Sequence, residues 1–359
     1  MADSDYPAQV LPSTAPQMPP LTPPPDAENI PLPPIAEGTS HARSASYDSA
    51  YGAEDDLRSN TTSIPPDFSN SVEENGRRYH TYHQGSYLLP TDEVEKERLD
   101  LEHKLFRRVL KGKLHLAPIS PNIQTVLDVG TGTGIWAMEF ADKHRSALVE
   151  GIDLSEMLPT FVPPNVKFVI DDAEETWKAD QSYDFIFVRG LNGCLKDWPR
   201  FYEQSFKNTT DGGWIEVTDI DFAFHYKDDT KAAAKYTDEW HFHMMEASKL
   251  SKRPLDAAPR HRQWMEDAGF VEIQQQVYTV PINVWHPTEK MRRIGRDTLA
   301  NILKGLSGSS LARFTRFLKW SPMELEVLLA WVRTELKDTS IHANLRLYVT
   351  YGRKPTSKS

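Results

Sequence analysis

One cysteine, Cys194, stands in 359 residues, so no disulfide can form within the chain and no cysteine-based metal cluster is available. Long apolar runs are missing as well. The longest fall far short of the ~20 residues that a membrane-spanning helix needs, so no membrane role is expected. Nor is there an excess of basic residues: 41 Lys and Arg face 51 Asp and Glu, a net charge of −10. Without a basic stripe for a phosphate backbone, direct nucleic-acid binding is not expected. The acidic, proline-rich start does not read as a signal peptide, and together these features fit a soluble intracellular protein.

Scarcity also divides the chain. Half of the 26 prolines precede Asn70, whereas all 9 tryptophans lie at Trp136 or beyond. A segment with so little to bury cannot offset its chain entropy. Residues 1–72 are therefore expected to form a disordered Pro/Ser-rich tail, and residues 73–355 one domain large enough for a single core.

What the chain does contain centres on Val126 to Trp136. An apolar run ending at Val129 reads as a buried parallel strand, and Ile135 to Phe140 as the start of a helix. Between them the pattern is Asp128-x-Gly130-Thr131-Gly132-x-Gly134. A dinucleotide fold instead wants G-x-G-x-x-G. An acid inside the strand suits a ligand with an ammonium group, such as the methionine part of S-adenosyl-L-methionine (SAM). Glycines let a ligand approach the backbone, and the helix N-terminus beyond offers free N–H groups. Taken alone, the glycine turn is also a plain tight strand–helix connection.

The following strands decide between these readings. One ends in Asp153-Leu154, about one strand–helix–strand repeat later, where an acid accepts both ribose hydroxyls. The next ends in Asp171-Asp172-Ala173, placed for the adenine amino group, and a fourth runs into Arg189. Any one such acid is more often a loop residue or helix cap. Three in register with a glycine turn point to a SAM-binding half-sheet.

The rest of the chain arranges itself around this half-sheet. Thr91 reads as the cap of a helix running through Leu99, Leu105 and Val109, with Lys111 in its last turn. Such a helix is expected to form a lid, with Tyr79 and Tyr87 closing over the sulfonium through their aromatic faces; ordinary packing is the competing account. Helices are expected at Trp198–Phe206, Lys231–Leu250 and His261–Ala268, the last closed by Gly269. Asp211-Gly212-Gly213 reads as a turn before a fifth strand, Trp214–Ile220. Val271–Val280 and Asn344–Tyr351 read as the sixth and seventh strands. A helical insertion, Trp285–Thr339, lies between them and is the place for a pocket wall (Trp285, His286, Phe314, Phe317, Trp320) or a partner surface. A base is needed only if the methyl acceptor arrives protonated. Base candidates are His225, His241 and His243, all after the expected fifth strand; Asn192 and Arg189, after the fourth, are placed to face the reacting methyl, each with plain packing or solvent exposure as the alternative. His241 and His243, two apart on a helix, point to different faces, so no metal site is expected.

Several segments together resemble the fungal LaeA-type methyltransferases. They are Glu74-Asn-Gly-Arg-Arg-Tyr-His80, Gly85-Ser-Tyr87, Arg98-Leu99-Asp100, the glycine turn through Trp136, Lys196-Asp197-Trp198-Pro199, Glu216 to Asp221 and Asp267-Ala268-Gly269-Phe270. The resemblance implies an α/β class I SAM-dependent methyltransferase, a Rossmann-like seven-stranded sheet with its last strand antiparallel. The N-terminal helical lid and the helical insertion before the last strand complete that architecture. It also implies SAM as cofactor, at the carboxyl ends of the strands. For function it implies a regulator of secondary metabolism, nuclear rather than cytoplasmic, working with velvet-family proteins and methylating a protein. Two alternatives stand beside it: a small-molecule O- or N-methyltransferase of a biosynthetic pathway, and a non-catalytic SAM-fold scaffold. SAM should raise the melting temperature, and Gly132→Asp, which puts a charged side chain where backbone meets ligand, should abolish that rise in a thermal-shift assay.

Overall fold

The computed structural model describes residues 71–356 other than 82–84, 86, 156, 160, 179 and 180. The expected tail therefore lies outside the described residues, apart from Ser71 and Val72, which open the first strand. β1 (Ser71–Glu74) and β2 (Arg77–His80) form an antiparallel hairpin. Asn75 and Gly76, at φ of 53° and 74°, make the two-residue turn that an Asn-Gly pair favours.

Seven further strands make one sheet: β3 (Thr125–Val129), β4 (Leu148–Asp153), β5 (Val166–Ile170), β6 (Tyr183–Arg189), β7 (Thr209–Tyr226), β8 (Val271–Pro281) and β9 (Ala343–Arg353). Their order is β5-β4-β3-β6-β7-β9-β8. β3 to β7 pair in parallel, and β9 is antiparallel to both β7 and β8. This is the expected class I architecture, with the last strand of the chain running against the rest.

Alternation along the central strands explains why helices cover both faces. Val126, Phe185 and Phe187 point to one side, where α2 (Ile135–Lys143) lays Trp136 and Phe140 against them. Trp136 stacks flat on Phe187, their centroids 3.8 Å apart. Leu127, Ile186 and Val188 point to the other side, beneath α3 (Trp198–Lys207) and α5 (His261–Ala268). Each such fully buried side chain stabilises the fold by roughly 1.5–3 kcal/mol. Gly269, at φ 101°, closes α5 as expected.

The fifth strand runs on to Tyr226 rather than ending at Ile220, and the helix expected from Lys231 starts at Lys235 after a 3₁₀ turn. Three further boundaries differ from the sequence reading, each for a local reason. α1 (Glu93–Val109) is capped by Asp92 rather than Thr91; Asp92 accepts from Glu95 N and binds Arg77 through both oxygens, at 2.6 and 2.9 Å. The same helix stops at Val109, leaving Lys111 beyond it in a left-handed conformation. Asp211-Gly212-Gly213 lies inside β7 and is not a turn before it. Thr209 pairs with Tyr183 and Trp214 with Phe185, so the extra residues bulge, with Gly212 at φ 79°.

The second half of the sheet carries a helical cap of its own. α4 (Lys235–Ser251) follows β7 after a 3₁₀ turn at Asp229–Ala233. The insertion between β8 and β9 is helical as expected: α6 (Glu289–Ala312), a π-helical turn at Arg313–Leu318, and α7 (Pro322–Lys337). α1 packs along α6, and the hairpin straps both. Arg77 grips the α1 cap, and Arg316 binds Glu74 while lying 4.8 Å above the Tyr79 ring. Among the described residues no helix is long and apolar enough to cross a membrane.

One contact locks the insertion in place. α6 meets the chain after β8 at Gly295, whose carbonyl accepts from Asn283 N at 3.1 Å. A Cβ at Gly295 would lie 1.7 Å from the Asn283 carbonyl oxygen, a backbone atom that cannot swing aside. Gly295→Ala should lower stability by about 3 kcal/mol, the upper range for forced overpacking. An unchanged midpoint in chemical denaturation would mean that α6 does not press on this loop.

Candidate functional site

The glycine turn and the strand ends form a single cleft. Gly130 N and Thr131 N both donate to Ile152 O, at 2.9 and 3.0 Å, and Gly132 N donates to Asp153 Oδ2 at 2.8 Å. Those bonds pin the β3–α2 turn to the tip of β4. Gly130, Gly132 and Gly134 sit at φ of 70°, 57° and 75°, conformations that L side chains rarely adopt. Each is also backed by protein: a Cβ at Gly130 would meet Leu191 at 2.5 Å, at Gly132 Leu99 at 3.2 Å, and at Gly134 the Phe168 ring at 2.4 Å. The glycines are therefore required by the packing of the turn as well as by any ligand above it.

The cleft holds about 930 Å³ of empty space, its open mouth included. It is lined by Asp128, Gly130, Thr131, Gly132, Asp153, Leu154, Asp172, Ala173, Arg189 and Tyr87. Of the cofactor candidates read from the sequence, Gly134 and Tyr79 are not on its wall. Gly134 turns toward Phe168, and Tyr79 is buried beneath Arg316 with Leu88 and Ala312, in the hairpin strap. The lid helix α1 does reach the cleft, through Leu99 and Glu102.

Charge in the cleft is arranged by burial. Asp128, 3% exposed, accepts from Thr131 Oγ1 at 2.6 Å, and burial pushes its carboxyl up to about 6. Arg189 donates to His103 Nδ1 at 3.0 Å and lies 5.6 Å over the Phe106 ring; burial pulls its pKa down. Burial and the neighbouring Arg189 drive His103 down to about 3, so it stays neutral and accepts that bond. Asp153 takes Gly132 N on one oxygen and Ser155 N and Oγ on the other. Of the roughly four acceptor sites of a carboxylate, this leaves about one for a ligand hydroxyl. Asp172 accepts from Glu174 N at 2.8 Å. An acid and a cation near the glycine turn, acids at two neighbouring strand tips, and apolar Leu154, Met157 and Leu195 fit the parts of SAM.

A second chamber opens beside the first, and Glu102 and Gly190 line both. It holds about 1070 Å³, mouth included, between α1, the ends of β6 and β7, α4 and α6. None of His225, His241 and His243 lines either cavity. His225 pairs with Asp221 at 3.1 Å, His241 stacks on Phe222, and His243 packs edge-on against Trp320 and Phe314. Asn192 does line the second chamber, but its amide is committed: Nδ2 donates to Ile220 O and Leu255 O, and Oδ1 accepts from Ala257 N. It ties the loop after β6 to β7 and to the segment after α4, a structural use of both ends of the amide. The insertion supplies a wall as expected, through Thr298, Asn301, Ile302, Leu306, Ser309 and Arg313. Trp285, His286, Phe314, Phe317 and Trp320 are not part of it.

The sequence reading missed the ionic groups of this chamber. Arg98 bridges Glu95 and Glu102 at 2.8 and 2.9 Å, and Asp219 holds His261 Nε2 at 2.9 Å, both partners fully buried. The i, i+3 and i+4 spacing on α1 was the available signal for the first; the second joins residues 42 apart and left none. Among the described residues no group of three ligating side chains is placed to hold a metal ion.

Known proteins resemble the chain along most of its length. The methyltransferase domain family matches residues 101–275. The methyltransferase pytC of Aspergillus terreus is 36% identical over 301 residues, 84% of this chain and 93% of that protein. The secondary metabolism regulator LAE1 of Cochliobolus heterostrophus is 35% identical, over 83% and 99%. The protein-methionine methyltransferase laeA of Emericella nidulans is 34% identical, over 83% and 82%. Among solved structures, a Haemonchus contortus phosphoethanolamine N-methyltransferase 2 in complex with SAM aligns with a TM-score of 0.41 and 16% identity, over 72% of this chain and 52% of that one. With relatives this similar over most of its length, the chain belongs to the LaeA-type family of SAM-dependent methyltransferases.

Proposed function

We propose that the protein acts as a LaeA-type regulator: a SAM-dependent methyltransferase that controls fungal secondary metabolism from the nucleus, in a complex with a velvet-family protein. The observation that carries this reading is the alignment with the regulator LAE1 along 99% of that protein, far beyond the cofactor-binding half. A second reading is favoured by the second chamber, which is large enough for a small-molecule acceptor and adjoins the cofactor cleft. The scaffold reading has less support, since the turn, the strand-tip acids and Arg189 all face one cleft.

When bound, SAM supplies an electrophilic methyl group on a sulfonium sulfur, a leaving group that needs no acid. The chain's part is to bind, orient and exclude water. Asp128 and Arg189 would hold the ammonium and carboxylate of the methionine part. Asp153, with about one acceptor site left, would hold one ribose hydroxyl and Asp172 the adenine amino group, with Tyr87 and Leu99 at the wall.

Two experiments test this. Asp128 carries charge only above about pH 6, because burial raises its carboxyl there. As pH falls from 7.5 to 5 its negative charge is withdrawn, so SAM affinity by calorimetry should fall, approaching about tenfold per pH unit below 6. Asp128→Asn should bind weakly and without that slope; a flat wild-type profile would remove Asp128 from the ammonium site. A pull-down with the tagged full chain separates the two functional readings. Recovery of a velvet-family protein supports the regulator, whereas no such partner, with methyl transfer to a small metabolite, supports the biosynthetic enzyme.

A further inference from the structure

The second chamber is apolar over most of its wall, with Phe106, Phe222, Trp240, Met244 and Leu306 among its lining. Six ionisable side chains also line it: Glu95, Arg98, Glu102, Asp219, Asp221 and Arg313. Five of them have a charged or imidazole side chain as partner. Glu95 and Glu102 share Arg98. Asp219 takes His261 Nε2 and Asn192 N, at 2.9 and 3.2 Å. Asp221 takes His225 Nε2 and Ala223 N, at 3.1 and 3.3 Å.

Arg313 is the exception. Its side chain is 2% exposed, and it donates only to backbone carbonyls, Ser309 O at 2.8 Å and Gly193 O at 3.2 Å. Its buried Nε has no hydrogen-bond partner, and among the described residues no carboxylate lies within ion-pair distance. The neighbouring Cys194 does not compensate it, because burial pushes that thiol up to about 12 and keeps it neutral. The nearby Arg253 has its own acid, Glu174, at 3.1 Å. A guanidinium stays charged in proteins, and an unpaired charge taken out of water is costly. Two carbonyl dipoles satisfy some of its hydrogen-bonding capacity but supply no counter-charge.

We propose that the second chamber binds the methyl acceptor, and that this acceptor is a largely apolar organic acid whose carboxylate pairs with Arg313. The proposal rests on the methyltransferase reading and names the acceptor class for the same site. The apolar walls take the body of the molecule, and the wall shared at Glu102 and Gly190 places it beside the cofactor cleft. Arg is suited to the role, since its planar fork matches a carboxylate and Nε is one of the donors in that fork.

The probe is 11-(dansylamino)undecanoic acid, titrated by fluorescence into the full chain beside its uncharged methyl ester. Wild type should bind the acid about tenfold or more tightly than the ester, as expected for a charge-assisted pair. Arg313→Met keeps the length and apolar stem but removes the charge. It should erase the preference, leave ester binding unchanged and leave the melting temperature the same or higher, because an uncompensated buried charge has gone. Arg313→Lys should keep part of the preference. Equal binding of acid and ester by wild type would overturn the proposal without any variant. So would an Arg313→Met protein that folds and still prefers the acid. SAM calorimetry on the same samples separates the two levels: normal SAM heat with no acid preference sinks this inference alone, whereas no SAM heat sinks the methyl-transfer reading beneath it.

Discussion

The turn between β3 and α2 is held from four directions, and the site is built on that arrangement. From below, Ile152 O and the Asp153 carboxylate take its backbone N–H groups. From the sides, Leu191 after β6, Phe168 on β5 and Leu99 on α1 fill the space that side chains at the three glycines would occupy. Thr133 Oγ1 adds a 2.8 Å bond to Asp100 on α1. The geometry offered to a ligand is thus set before any ligand arrives, because moving the turn would disturb three strands and a helix at once. Such preorganisation matters for a transfer in which alignment is the main requirement.

The second chamber depends on elements far apart in the chain. α1 forms its floor only because α6 packs along it and the hairpin clamps both, through Arg77 to Asp92 and Arg316 to Glu74. Arg98 reaches Asn301, 203 residues away, and Arg313 reaches Gly193, 120 residues away. The cofactor cleft is therefore local in construction and the second chamber is not. That division bears on the functional question: the cofactor is read from the local half, and the proposed acceptor site lies in the assembled one.

The same division explains what the sequence disclosed. Six of the seven sheet strands, α2, α3 and α5 announced themselves through alternation, glycines and caps, because those signals act between neighbours in the chain. The fifth strand, β7, was placed but cut short, since a bulge and a turn share the same Asp-Gly-Gly chemistry and only pairing with Tyr183 separates them. The hairpin carried a readable Asn75-Gly76 signal that went unused. Tyr79 looked like part of a lid because aromatic type alone does not say which of two cavities, or neither, a ring will face. The three histidines follow the expected fifth strand, Trp214–Ile220, but that position does not reveal that β7 continues through His225, that His241 stacks on Phe222 or that Asp221 holds His225. Asp219 with His261, and Arg313 without an acid, became visible only once distant segments were brought together.

The place of β9 carries a consequence for how the molecule reaches its fold. Among the described residues β8 pairs in the sheet with β9 alone, and β9 reaches β7 on its far side. A nascent chain can assemble β3 to β7 as soon as they emerge, but β8 must wait, unpaired, through the synthesis of the whole helical insertion. Contacts this distant in sequence are slow to form and leave a bare strand edge open to wrong partners meanwhile. A premature stop ahead of Ala343 would strand β8 permanently, so lesions late in the gene would cost solubility before they cost cofactor binding.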